Sequence, residues 1–245
     1  MSAAPEPTRL DVLADRLAAV RRRLAAACQL AGRAPSELTL IAVSKTWPAA
    51  DIALLVQLGV RDFGENRDQE AAAKAAELAA LDLTWHFVGR LQSNKCRSVA
   101  SYAKVVHSLD RPKLVSALST GAQAAGRNLD VLIQVSLDDD PGRGGAAAES
   151  VPALGDVIAT APGLRLRGVM AVAPLGVEPA AAFDRLAAVA SRLRATHQQA
   201  GWISAGMTGD LEPAVAAGAT HVRIGTALFG GRTPLDRSLD RSLDR

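Results

Sequence analysis

Cysteine is scarce: Cys28 and Cys96 are the two in 245 residues, they lie far apart, and no Cys-x-x-Cys occurs. That excludes a disulfide framework and a thiolate metal site, and both thiols read as reduced, cytoplasmic ones. Aromatic residues make up 3% and the net charge is only +3, so the chain lacks both the stacking platforms and the basic field of a nucleic-acid binder. Arg21-Arg22-Arg23 is the one basic cluster; on a helix it reads as a solvated face, with phosphate binding the lesser alternative. No apolar run is long enough to span a bilayer, and Met1-Ser-Ala-Ala-Pro-Glu-Pro7 has no basic segment followed by an apolar one, so neither a membrane partner nor a secretory leader is expected. Gly-x-Ser-x-Gly, the phosphate-loop Gly-x-x-x-x-Gly-Lys-[Ser/Thr] and His-Glu-x-x-His are all missing. Asp138-Asp139-Asp140 cannot aim three adjacent carboxylates at one cation and reads as a solvated loop.

What is present is a regular alternation. Apolar residues at helical spacing (Leu10, Leu13, Leu17, Val20, Leu24) give a leading helix over 8–31, stopped by Gly32. Strands are expected over 38–46, 60–66, 85–89, 105–109, 129–137, 166–172, 202–208 and 221–225. Helices are expected between them over 49–58, 69–81, 111–125, 150–160, 180–199 and 211–217, with a further one opening near Ser93 or Asn94 as N-cap. Eight strands alternating with helices at this length point to a single (β/α)8 barrel over 8–233, preceded by an extra N-terminal helix. Residues 1–7 and the charge-balanced Ser-Leu-Asp-Arg repeat of the tail, 234–245, are expected to be disordered or, in the tail, a frayed helix.

The stretch Leu38-Thr-Leu-Ile-Ala-Val-Ser-Lys-Thr46 carries the chemistry. Period two puts Thr39, Ile41, Val43 and Lys45 on one face, so Lys45 stands inward at the strand's C-terminal end or is a surface lysine just past it. In the first case partial desolvation favours a neutral amine able to form a Schiff base. Barrel phosphate sites commonly use the loops after strands seven and eight. There, Ser204-Ala-Gly-Met-Thr-Gly-Asp210 and Gly225-Thr226 offer hydroxyls and backbone N–H groups. Arg223 shares a face with Gly225 and needs an interior partner, either an acid or a ring nitrogen. Met170 packs against a flat ring or simply fills core; Asn66 bonds a ring oxygen or caps the next helix; His86 reads as a satisfied structural histidine.

Together, Ala42-Val-Ser-Lys-Thr46, Phe63-Gly-Glu-Asn66, Trp85-His-Phe-Val-Gly89 with Leu91-Gln-Ser-Asn-Lys95, Gly168-Val-Met170, Ser204-Ala-Gly-Met207 and Val222-Arg-Ile-Gly-Thr226 resemble, in order, the motifs of the pyridoxal phosphate homeostasis proteins. These are single-domain barrels similar to the N-terminal domain of alanine racemase, the type III fold of proteins that bind pyridoxal 5′-phosphate (PLP). The resemblance implies that Lys45 holds PLP as a Schiff base. It implies further that Ser204, Gly206, Gly225 and Thr226 hold the phosphate, that Arg223 faces the pyridine nitrogen, and that Asn66 and Met170 border the ring. It also implies a cytoplasmic protein, monomer or weak dimer, that stores PLP or delivers it to PLP-dependent apoenzymes. The alternative is an amino-acid racemase or lyase on the same lysine. Racemisation needs a second base opposite the lysine, and the single tyrosine, Tyr102, precedes the fourth strand at the barrel's other end. A third alternative is a phosphate-binding barrel enzyme in which Lys45 makes its Schiff base with a sugar phosphate.

Overall fold

A computed structural model describes residues 6–138 and 144–231. The expectations for residues 1–5, for most of the acidic loop and for the Ser-Leu-Asp-Arg tail lie outside the described residues.

Eight parallel strands close into a barrel in chain order: β1 (Thr39–Val43), β2 (Asp62–Glu65), β3 (Thr84–Phe87), β4 (Val105–Leu109), β5 (Leu129–Gln134), β6 (Leu164–Met170), β7 (Trp202–Ser204) and β8 (His221–Ile224). β8 pairs with β1, placing Ile41 beside Arg223, and closes the ring. Among the described residues nine helices surround it: α1 (Arg9–Leu30), α2 (Ala49–Gln57), α3 (Asp68–Glu77), α4 (Cys96–Tyr102), α5 (Pro112–Ala124), α6 (Val151–Ala159), α7 (Pro179–Thr196), α8 (Leu211–Ala216) and α9 (Thr226–Phe229). The expected strands match in number and order. Most expected ends run long, because the polar residues after each strand turn away into loops that carry the site. Neither Ser93 nor Asn94 caps a helix: a 3-10 turn, Ser93–Lys95, precedes α4, and neither it nor α4 has a side-chain cap.

The leading helix is not an appendage. Thr8 and Asp11 form a capping box at its start, and Leu13, Leu17, Val20 and Leu24 bury one stripe. That stripe packs with Ala42 of β1, Val222 and Ile224 of β8, and Leu228 and Phe229 of α9. The helix following β8 is a single turn too short to cover the β8–β1 joint, and α1 fills that place in the outer ring.

Most of the apolar core lies in the shell between strands and helices. Inside the barrel a separate apolar cluster is small: Val105, Leu132 and Met170, with Trp202 against it. Barrel interiors are ordinarily filled with branched aliphatic side chains. Here His86, His107, Ser204, His221 and Arg223 are buried and joined by ring contacts and hydrogen bonds within it.

Candidate functional site

β1 ends at Val43, and Lys45 lies half-buried in the turn that follows. Val43 faces the interior: a Cβ built on Gly64 of β2 would lie 3.3 Å from its Cγ2, and one on Gly225 would lie 3.3 Å from its carbonyl oxygen. Lys45 is two residues further on, so its Cα lies within about 7 Å of that of Val43. The turn is held from both flanks. Ser44, wholly buried, donates to Glu65 Oε1 at 2.7 Å, and its carbonyl accepts from Lys74 Nζ at 2.8 Å. Thr46, the single non-glycine residue with positive φ (67°) among those described, donates its N–H to Glu70. Lys74, on α3, also binds Glu65 Oε1 at 2.7 Å and Glu70, so one buried ammonium ties both neighbours of Lys45 to β2 and α3. Beyond the turn, Trp47 stacks on Phe229 with ring centroids 5.7 Å apart. Arg9 of α1 covers Trp47 and pairs with Asp51.

Arg223 points into the barrel, 4% exposed, as its parity with Gly225 requires. Among the described residues its acceptors are not carboxylates: one guanidinium nitrogen donates to Ser204 Oγ at 2.7 Å, another to the Ala171 carbonyl at 2.9 Å. Burial draws its pKa down to about 10, and Asp210 opposes that shift. Ser204, the last residue of β7, is therefore turned inward. Met170 is its register partner on β6 and is 2% exposed. Gly206 has φ +89°, and a Cβ there would come within 2.7 Å of Ala214 Cβ, so only glycine fits. Its carbonyl accepts the Arg223 N–H at 2.9 Å, tying the β7 loop to β8.

Gly225 is the N-cap of α9 and Thr226 its exposed first residue, with the open N–H groups of a helix start. Asn66 follows β2; α3 begins after Arg67 without a side-chain cap, so the capping alternative for Asn66 is not realised. Arg23 is bound bidentately to Glu212 and to the Thr208 carbonyl, so it pins the β7–α8 loop, whereas Arg21 and Arg22 are exposed.

The structure brings together Arg223, Ser204, Met170 and Gly206 by bonds or register, with Gly225 against Val43. Asn66 and Thr226 stand on the same end of the barrel without a bond to that group. Two clefts of about 520 Å³ lie elsewhere, one between the β5–α6 loop and α7, the other at the strands' N-terminal ends beside Arg21, Arg61 and Asp62.

Sequence reasoning missed His107 and His221. His86 Nδ1 lies 2.9 Å from His107 Nε2, and His107 Nδ1 lies 3.0 Å from Ser204 Oγ. His86 Nε2 lies 3.0 Å from Asp62 Oδ1. His221 packs on Trp202 at 4.5 Å. Burial, reinforced by His86 and the Arg223 cation, holds His107 well below the ordinary histidine range and brings His221 down to about 4. Parity could have found His221, two residues before Arg223 on the same strand.

These residues suit PLP: a buried guanidinium with donors to spare points into the barrel, an amine lies half-buried in the turn after the adjacent strand, and two close-approach glycines follow β7 and β8. The model of the alanine racemase N-terminal domain family matches residues 16–233. A Mycobacterium tuberculosis protein named pyridoxal phosphate homeostasis protein is 45% identical, over 92% of this chain and 95% of its own. An Escherichia coli protein of the same name is 40% identical, over 91% and 98%. The solved structure of PipY from Synechococcus elongatus with PLP bound is 38% identical with a TM-score of 0.79, over 89% of this chain and all of that one. With barrel, motifs and overall sequence in agreement, the chain belongs to the pyridoxal phosphate homeostasis protein family.

Proposed function

We propose that this protein binds PLP through Lys45 and acts in cofactor homeostasis, storing PLP or delivering it to apoenzymes, with no robust turnover of its own. The observation that carries the reading is Arg223, a buried cation on β8, the strand paired with β1, whose following turn carries Lys45. Bound PLP supplies an aldehyde for an amine and an electron-accepting ring. The chain's residues favour holding over reacting. Lys45 provides the amine. Arg223 donates a hydrogen bond to the ring nitrogen and keeps its proton, since about 10 is still well above neutral. Without a carboxylate to keep that nitrogen protonated, the ring is a weak electron sink. Gly206, Gly225 and Thr226 offer amides and a hydroxyl to the phosphate, Met170 borders the ring, and Asn66, not needed as a cap, is available to its oxygen.

The family model favours a second reading, an amino-acid racemase or lyase. It requires a second acid–base group across from Lys45. Tyr102, the one tyrosine, ends α4 before β4, at the opposite end of the strands, and burial raises its phenol far above the ordinary range. His107 and His221 are held neutral by burial.

Purified protein incubated with PLP should show a near-visible absorption band that Lys45→Ala abolishes, and borohydride should fix a PLP-sized adduct on Lys45. A wild-type protein with no band defeats the proposal; a sugar-phosphate adduct instead points to a barrel aldolase-like enzyme. Chiral analysis of an amino-acid panel should show no turnover beyond free PLP; clear turnover supports the racemase reading. The same reading takes the protein to be cytoplasmic and a monomer or weak dimer, which light scattering checks.

A further inference from the structure

The interior contacts join into one line: Arg223 to Ser204 Oγ (2.7 Å), Ser204 Oγ to His107 Nδ1 (3.0 Å), His107 Nε2 to His86 Nδ1 (2.9 Å), and His86 Nε2 to Asp62 Oδ1 (3.0 Å). It crosses the barrel from β8 through β7, β4 and β3 to β2, and from the cofactor end to the cleft at the strands' N-terminal ends, where Asp62 is partly exposed.

Where each ring carries a single proton, the chemistry of the two ends fixes the direction of every bond between them. A guanidinium can only donate and a carboxylate only accept. His86 must therefore donate through Nε2 to Asp62, which in a neutral ring leaves Nδ1 an acceptor. His107 then donates through Nε2, its own Nδ1 becomes an acceptor, and the Ser204 proton is directed to it. Ser204 Oγ receives Arg223 on a lone pair. Each group has one donor and one acceptor role, and no step conflicts. The hydroxyl has a single proton, and it is spent on His107, leaving none to give a phosphate.

Resting on the reading that PLP occupies the site, we propose that Asp62, His86 and His107 are positioning residues for it. Through them the Ser204 hydroxyl is locked onto Arg223, so that Ser204 orients the guanidinium under the ring and does not donate to the cofactor's phosphate. The phosphate is then left to Gly206, Gly225 and Thr226. This reassigns Ser204, which the sequence placed among the phosphate holders, and gives the three polar interior residues a shared task at a site none of them touches.

Two measurements test it. Nitrogen-15 spectra of the histidine rings in the PLP-free protein at neutral pH should show His86 and His107 both protonated at Nε2 and bare at Nδ1. Protonation of His107 at Nδ1 reverses the chain and overturns the proposal, whether or not PLP binds. In the second, affinities for PLP and for pyridoxal are compared in wild type, Ser204→Ala and Thr226→Ala. The ratio of the two affinities should hold in Ser204→Ala and fall in Thr226→Ala. A fall of roughly tenfold or more in Ser204→Ala, the worth of a hydrogen bond to a charged group, would make it a phosphate donor after all. Ser204→Ala and His107→Gln should displace the pH midpoint of the bound-PLP band in the same direction, because both release the same guanidinium; opposite displacements, or none, also overturn the proposal. Failure of wild type to bind PLP would defeat the proposed function and leave the ring tautomers to decide the hydrogen-bond chain.

Discussion

Replacing Lys74 by methionine tests what holds the turn at Lys45. Lys74 Nζ lies 2.7 Å from Glu65 Oε1 and 2.8 Å from the Ser44 carbonyl, and the two charged side chains are 8% and 1% exposed, so solvent screens the pair little. Methionine keeps the stem and removes the charge, leaving Glu65 buried with Glu70 nearby; Glu65 Oε2 already has no hydrogen-bond partner. Stripping one partner from a buried pair costs about 3–5 kcal/mol, or a drop of roughly 10 °C in Tm for a chain of this size. The pH dependence identifies the cause. Burial raises the Glu65 carboxyl above its ordinary range and Lys74 pulls it back, so without Lys74 it rises further. A carboxyl whose folded pKa exceeds its unfolded one destabilises the fold above that folded value and ceases to do so below the unfolded value, near 4.5. The deficit of Lys74→Met, measured by urea unfolding, should therefore shrink as pH falls from 8 to 5, and Glu65→Gln added to it should restore part of the loss. A deficit that is the same at both pH values, or a double variant no better than the single one, would refute the electrostatic account. PLP affinity should fall as well, since Ser44 and Thr46 lose their common anchor.

Two further outcomes follow from the interior. Gly206→Ala forces a left-handed alanine whose Cβ meets that of Ala214 at 2.7 Å; it should cost about 2–4 kcal/mol in urea unfolding, whereas Gly209→Ala, with nothing within 4 Å, should be near neutral. His221, brought down to about 4 in the folded state from 6.5, binds its proton more readily in the unfolded chain, so its contribution is present above 6.5 and lost as pH falls towards 4. That loss is about 2 kcal/mol at pH 5, and unfolding at pH 7.5 and 5 should show a correspondingly shallower fall in His221→Gln; equal falls in variant and wild type would count against it.

The barrel was legible because its outer layer obeys local rules: alternating apolar strands, helices with stripes such as Leu13, Leu17, Val20 and Leu24, and glycine stops such as Gly32 and Gly59, both at positive φ. Arg223 was legible as an interior residue because strand parity holds through β8, where it pairs with Ile41 of β1; Lys45 was singled out by the same parity, but β1 ends at Val43 and Lys45 lies in the turn beyond it. The role of Ser204 was not, because a serine at a strand end followed by glycine looks the same whether its hydroxyl turns up to a phosphate or down to an arginine. What decides between them is a pair of histidines 97 and 118 residues away in the chain, His107 and His86, whose meeting depends on barrel closure and on the register that sets His86 beside Val105. No window of sequence contains that register. Arg223, turned inward, finds its acceptors in Ser204 Oγ and the Ala171 carbonyl, and the line of hydrogen bonds runs on from Ser204 through His107 and His86 to Asp62 at the solvent edge. A barrel with leucine at 86 and 107 would have the easier core to pack and would leave only Ser204, its hydroxyl no longer held by His107, and the Ala171 carbonyl to hold that cation.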